Sequence, residues 1–253
     1  MTSLEAVFLG IVQGATEFLP VSSSGHLVLA QDLLGWQHSD ITFDIWLHFS
    51  TLLAVFVFFW KDLRTLTKKE MLIILVASIP AALIGLVFED TISSWFSSTR
   101  IVALALLLTG LFNIFTDKII KKRLKNKEKS AINLKQGFIV GLFQALAIIP
   151  GISRSGSTVF AGSLQGFDRL TAFRFSFILS IPVILGASSI QFIKVLNQGS
   201  VGGFRLVFLL AAGAAFLTGL ASLYIFRYVI RKARLSWFGY YCLILGTSYL
   251  LFF

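Results

Sequence analysis

Six stretches of this chain are each long and apolar enough to cross a lipid bilayer: residues 41–60, 71–88, 101–117, 173–194, 205–226 and 236–253. Each comes near the ~20 residues that a hydrocarbon layer ~30 Å thick demands of a helix. No other feature restricts the possible folds so strongly. Composition agrees, since 56% of the 253 residues are hydrophobic, 13% are charged and 26 are Phe. The N-terminus lacks a basic region and carries Glu5 and Glu17 inside its apolar run, so no cleaved signal peptide is expected. Cys242 is the single cysteine, which excludes an intramolecular disulfide and leaves it the part of a small buried hydrophobe.

A net charge of +10 invites a nucleic-acid reading, but the positions of the basic residues argue for a membrane. Of 22 Lys and Arg, four fall in 61–70, eight in 118–135 and four in 227–235, whereas 89–100 and 195–204 hold one between them, Arg100. That asymmetry places the three basic loops in the cytoplasm. The run KIIKKRLKNKEK then lies beside anionic lipid, and no nucleic-acid partner is expected.

Two further pairs of apolar segments are too short to cross singly: 5–19 with 26–36, and 136–149 with 157–166. Each pair reads as a hairpin that enters the membrane and returns. Irregular backbone at that depth requires protein or a watery cavity around it. An offset of 131 residues pairs Gly10 with Gly141, Gln13 with Gln144, Ser22 with Ser153, Ser24 with Ser155, Gly25 with Gly156 and Ala30 with Ala161. Three spans follow each hairpin. The expected fold is therefore all-α and polytopic: one membrane domain, 1–253, of six transmembrane helices and two re-entrant hairpins, 5–36 and 136–166. It divides into repeats 1–117 and 118–253. An odd number of spans per repeat inverts the second relative to the first, so the first hairpin enters from outside and the second from inside. Their tips meet near the midplane, where sites of inverted-repeat membrane proteins lie.

The tips carry the chemistry. Gln13 and Glu17, four apart, project from one helix face, and Pro20 ends that helix by forcing Leu19 out of helical geometry. Ser22, Ser23 and Ser24 are N-cap candidates for the returning helix, whose first turn holds His26, a residue suited to acid–base work. In the second tip, Ser155 or Gly156 opens a helix with Ser157 and Thr158 in its first turn and Arg154 just before it. Helix starts offer unpaired N–H groups and partial positive charge, so two of them with Arg154, Ser153 and Ser155 suit a phosphate. An acid and an arginine at membrane depth point to function. Asp44 and His48 stand at i, i+4 but lack a third metal ligand. Asp168, Arg169 and Arg174 read as interfacial anchors, and the SIP triplets at 78–80 and 180–182 as helix kinks.

The stretches QGATEFLPVSSSGH and PGISRSGST, with the weaker FDIWLHFSTLLAV and SIPAALIGLVFED, closely resemble the undecaprenyl-diphosphate phosphatase, or bacitracin-resistance, family along the whole chain. The resemblance implies hydrolysis of the C55 polyprenyl diphosphate to monophosphate and inorganic phosphate in the bacterial plasma membrane. That reaction recycles the lipid carrier for peptidoglycan and cell-wall synthesis and removes the target of bacitracin. By motif position Glu17 is the second acid of the family's E/Q-x-x-x-E pattern, with Gln13 in the first place. Ser23 and His26 match the first motif, and Ser153, Arg154 and Thr158 the second. A divalent cation, Mg2+ or Ca2+, is implied as cofactor, held by Glu17 together with diphosphate oxygens.

The resulting mechanism has Glu17, Ser23, His26 and Arg154 as catalytic residues, with Gln13, Ser22, Ser24, Ser153, Ser155 and Thr158 binding the diphosphate. Either Ser23 or water attacks, with His26 as base or leaving-group acid and Glu17 orienting it or holding metal. The charge asymmetry sets the site toward the outer leaflet. The rival reading is a transporter or flippase of an anionic lipid, because inverted repeats with broken helices are also a transporter plan. Oligomeric state is open at this level.

Overall fold

The computed structural model describes residues 2–36, 41–123, 131–197 and 206–252. Their regular elements are all helices, with no strand among the described residues: α1 Ser3–Phe18, α2 Ser23–Leu33, α3 Ile41–Phe58, α4 Trp60–Arg64, α5 Lys68–Val87, α6 Glu89–Phe96, α7 Thr99–Arg123, α8 Leu134–Leu146, α9 Arg154–Leu164, α10 Arg169–Asn197, α11 Leu206–Arg231 and α12 Ser236–Phe252. Four of them, α5, α7, α10 and α11, are long and apolar enough to cross a membrane. The remaining two expected spans form the shorter apolar helices α3, 18 residues, and α12, 17 residues.

Several boundaries differ from the sequence expectation for identifiable reasons. The stretch 41–60 breaks at Phe59 (φ −99°, ψ 15°), where the charged residues Lys61, Asp62 and Arg64 begin the short α4. The expected loop 89–100 contains α6, which carries Glu89 and Asp90 in its first turn, favourable against the positive helix end, and buries Ile92. Helices α7 and α11 run on into their basic segments, to Arg123 and Arg231, because Lys and Arg are good helix formers and suit a helix C-terminus. Residues 124–130 and 198–204, within expected loops, and residues 205 and 253, at the ends of two expected spans, lie outside the described residues. Pro80 and Pro182 sit inside continuous helices.

Packing pairs the two halves of the chain: α1 lies on α11 and α8 on α5, α3 on α11 and α10 on α5, while α3 meets α10 and α7 meets α12. Small residues set these approaches. A Cβ at Gly10 would stand 2.3 Å from the Ala211 carbonyl oxygen, and one at Gly141 2.1 Å from that of Ala77. Close backbone approach at small residues is how helices associate where water supplies no driving force between them.

The main core joins Phe18, Phe59, Phe173, Phe177 and Phe226. Phe177 meets Phe18 edge-on at 5.6 Å between ring centroids, and Phe173 meets Phe226 at 5.5 Å. Large apolar side chains also cover the outer surface, among them Leu83, Val87, Leu217 and Ile225, as lipid contact requires. The expected interfacial anchors have specific partners. Arg174 pairs with Asp62 and Glu70, both at 2.8 Å, Arg169 donates to the Arg231 carbonyl oxygen at 2.7 Å, and Asp168 accepts from the Leu170 and Thr171 amides at the start of α10.

Candidate active site

The first tip follows from Pro20. Leu19 is extended (φ −65°, ψ 147°), so α1 stops at Phe18 with Gln13 and Glu17 on one face of its last turns. Ser22 adopts φ 70°, a conformation that costs a non-glycine residue strain, and reverses the chain so that its hydroxyl caps α2 by accepting from the Gly25 amide at 3.3 Å. In the second tip Gly151 (φ 94°) makes the reversal and Ser153 is the cap, accepting from the Gly156 amide at 3.1 Å. Helix α9 therefore opens at Arg154. This corrects the expectation of a start at Ser155 or Gly156, because the Ser153 hydroxyl is the one that reaches the free amide two positions into the next turn.

The two tips repeat each other's bonds. Ser22 and Ser24 hydroxyls are 3.2 Å apart, and so are those of Ser153 and Ser155. They also hold one another: the Gly151 amide donates to Ser24 Oγ at 3.5 Å, and the Ser155 hydroxyl donates to the Leu19 carbonyl oxygen at 3.3 Å. Helix α7 clamps both. Asn113 donates to the Pro20 carbonyl oxygen at 2.6 Å, and Thr109 donates to that of Gly151 at 2.9 Å.

At the junction Glu17 gathers three partners. Its Oε1 accepts from Arg154 Nη2 at 2.6 Å; its Oε2 accepts from the Ser23 hydroxyl at 2.6 Å and from Gln13 Nε2 at 3.1 Å. The Glu17 and Arg154 side chains are 8% and 15% exposed, so each charge is desolvated and depends on the other. The Arg154 guanidinium also stands 5.9 Å above the Phe177 ring. Two buried polar atoms here lack a protein partner, Arg154 Nη1 and Gln13 Oε1. A donor and an acceptor are thereby left for something the protein does not supply.

Among the described residues no three His, Cys, Asp or Glu side chains converge to hold a metal. The hard donors here are the Glu17 carboxylate, whose oxygens already accept from Arg154, Ser23 and Gln13 Nε2, and Gln13 Oε1. Oxygen donors are the kind that Mg2+ or Ca2+ take, and these are too few for a protein cage, so most of a cation's shell would have to come from substrate oxygens.

The sequence pattern of the bacitracin resistance protein family, BacA, matches residues 6–248. An undecaprenyl-diphosphatase of Halothermothrix orenii is 44% identical over 97% of this chain and 96% of its own length. Proteins of the same name from Alkaliphilus metalliredigens and Moorella thermoacetica are each 40% identical, over 100% and 95% of this chain and 99% and 94% of theirs. The chain belongs to the BacA family. With its apolar helices it is a multi-pass membrane protein.

For this BacA member the structure brings Gln13, Glu17, Ser23 and Arg154 into direct contact and assigns Ser22, Ser24, Ser153 and Ser155 to holding the two tips. It turns Thr158 away: its hydroxyl bonds to the Arg154 carbonyl oxygen at 2.8 Å and to Ser176 Oγ of α10 at 2.6 Å. No hydrogen bond joins His26 to Glu17, orienting His26 being one of the two roles the expected mechanism offered that carboxylate. His26 Nδ1 bonds to the Ser22 carbonyl oxygen at 2.8 Å, and Nε2 to the Tyr241 hydroxyl at 2.7 Å. His48 Nδ1 bonds to the Asp44 carbonyl oxygen at 2.9 Å, which turns the imidazole along α3. Asn113, Thr109 and Tyr241 escaped the sequence reading. Thr109 and Asn113 stand four apart on α7 and so share a face, and Tyr241 follows Tyr240 in α12, but nothing local names the partner that each meets across the fold.

Proposed function

We infer that this chain is an integral membrane phosphatase that hydrolyses undecaprenyl diphosphate to undecaprenyl phosphate and inorganic phosphate, recycling the carrier lipid for cell-wall synthesis and conferring bacitracin resistance. Family membership and the names of its relatives support this reading. The observation that carries the chemistry is the Ser23 hydroxyl donating to Glu17 at 2.6 Å, a nucleophile already on its base.

Ser23 Oγ forms a bond to the terminal phosphorus while its proton passes to Glu17 Oε2. The bond from that phosphorus to the bridging oxygen breaks, and undecaprenyl phosphate leaves with the electron pair. Water then attacks the phosphoserine phosphorus and gives its proton to His26 while the Ser23 Oγ–P bond breaks, Ser23 Oγ takes back the proton from Glu17 Oε2, and orthophosphate leaves. Ser23 and His26 are three apart on α2 and so share a face. Arg154 Nη1 and the amides at the starts of α2 and α9 bind the phosphate oxygens and offset their charge. Glu17 and Gln13 Oε1 are the groups that would hold a divalent cation, which when bound supplies further charge neutralisation to the diphosphate.

In the architecture that goes with this reading, α1–α2 and α8–α9 are re-entrant hairpins among six spans. The segments 1–117 and 118–253 are inverted repeats in the bacterial plasma membrane, with the site toward the outer leaflet. The matched packing of α1 on α11 and α8 on α5, and the repeated serine bonds at the tips, support the repeat. A lipid transporter would share that plan but has no need of a serine poised on a carboxylate. Purified protein given farnesyl diphosphate is expected to release orthophosphate and farnesyl phosphate. Release of pyrophosphate, or of nothing from folded protein that binds the lipid, would contradict the reading.

A further inference from the structure

His26 reaches from α2 to α12. Its Nδ1 is 2.8 Å from the Ser22 carbonyl oxygen, which only accepts, so Nδ1 carries the proton. In the neutral ring Nε2 is then the lone pair, and Tyr241, 2.7 Å away, must be its donor. The two rings also stack, with centroids 5.6 Å apart and planes 14° apart. Tyr241 is 45% exposed, on a helix whose neighbouring Tyr240 and Ile244 are exposed as well. Core packing therefore does not account for its orientation, whereas the hydrogen bond and the stack do. Nε2 is the one atom through which this imidazole can take up a proton, and the Tyr241 hydroxyl sits on it.

We propose that Tyr241 stations His26 for the hydrolytic step and carries the water's proton to it: with the Ser22 carbonyl oxygen fixing the Nδ1–H form, the tyrosine hydroxyl sits on the one basic atom of the imidazole between α2 and α12. The inference rests on the phosphatase reading, in which His26 takes the proton of the attacking water. The attacking water gives its proton to the Tyr241 hydroxyl oxygen as the tyrosine passes its own proton to His26 Nε2, so one proton leaves the water and one reaches the imidazole, and the stack keeps the ring from turning meanwhile. A tyrosine serves this purpose because its ring packs in lipid while its hydroxyl remains a donor.

Tyr241→Phe keeps the ring and the stack and removes only the hydroxyl. We expect kcat to fall about 10-fold or more with KM changed less than about 2-fold, since a group acting through the base affects the reacting state rather than ground-state binding. The thermal midpoint in detergent should stay that of the unmodified protein. In a His26→Ala background the same change should add no further loss, because residues acting as a unit are not additive. Wild-type kcat in Tyr241→Phe, a loss seen only in KM or in thermal stability, or a full second loss in the His26→Ala background would each overturn the proposal. The unmodified protein in the same assay separates the two claims. If it releases no phosphate, the phosphatase reading fails; if it does and Tyr241→Phe matches it, only the role of Tyr241 fails.

Discussion

Glu17 Oε1 lies 2.6 Å from Arg154 Nη2, joining residues 137 positions apart and closing the tip of α1–α2 onto that of α8–α9. Both side chains are largely buried, so the pair is an electrostatic unit rather than two independent charges. Replacing one member strands the other in a medium that solvates it poorly. Glu17→Gln alone or Arg154→Met alone is expected to lower stability by about 3 kcal/mol, whereas the double replacement recovers much of that loss. Neither single nor double variant should hydrolyse substrate. Thermal unfolding in detergent, set beside phosphate release, checks both halves; a double variant as unstable as the sum of the singles would contradict them.

Ser23 is assigned the attack because its hydroxyl donates to Glu17 Oε2 at 2.6 Å. Ser23→Ala should therefore reduce turnover by at least about 100-fold while leaving the fold intact. Acid-quenched wild-type protein should yield phosphate on the peptide containing Ser23. Substantial turnover by Ser23→Ala would hand the attack to water.

Gly10 and Gly141 occupy matching positions against Ala211 and Ala77, with hypothetical Cβ distances of 2.3 and 2.1 Å to backbone oxygen. Backbone cannot give way as a side chain does, so Gly10→Val and Gly141→Val should each force a helix pair apart and cost at least about 2 kcal/mol. Similar losses in both, read from the thermal midpoint, are the expected result. A large loss in one and none in the other would contradict the matched packing of α1 on α11 and α8 on α5.

Gln144 is the counterpart of Gln13 at the 131-residue offset, yet both its amide atoms are buried without a hydrogen-bond partner. Desolvated polar atoms left unpaired are costly, and an apolar side chain of similar length removes them. Gln144→Met should thus leave stability unchanged or raise it by about 1 kcal/mol. A clear drop in thermal midpoint would show that the amide is satisfied by something bound.

Helical class and the local geometry of the tips were legible in the sequence for separable reasons. Pro20 ends α1 through a purely local steric clash, and spacing of four puts Gln13 and Glu17 on one face, so both could be read from adjacent residues. The caps were less legible: three serines precede Gly25, any of them a cap by type, and only chain reversal at Ser22 selects one. Partnerships across the fold left no trace at all. Tyr241 lies 215 residues from His26, and Asn113 lies 93 from Pro20, each in a helix that reads as apolar filler. The same limit hid the partner of His26, whose ring meets Tyr241 of α12 while Ser23 takes the Glu17 carboxylate.

The most direct measurement is inorganic phosphate release from undecaprenyl or farnesyl diphosphate by purified protein in detergent, with and without EDTA, for the unmodified chain, Glu17→Gln and Arg154→Ala. The account predicts release by the unmodified chain that EDTA suppresses and that both substitutions abolish, because the carboxylate of one tip and the guanidinium of the other serve one reaction. Full activity in either variant would contradict a shared site, and activity indifferent to EDTA would remove the divalent cation from it.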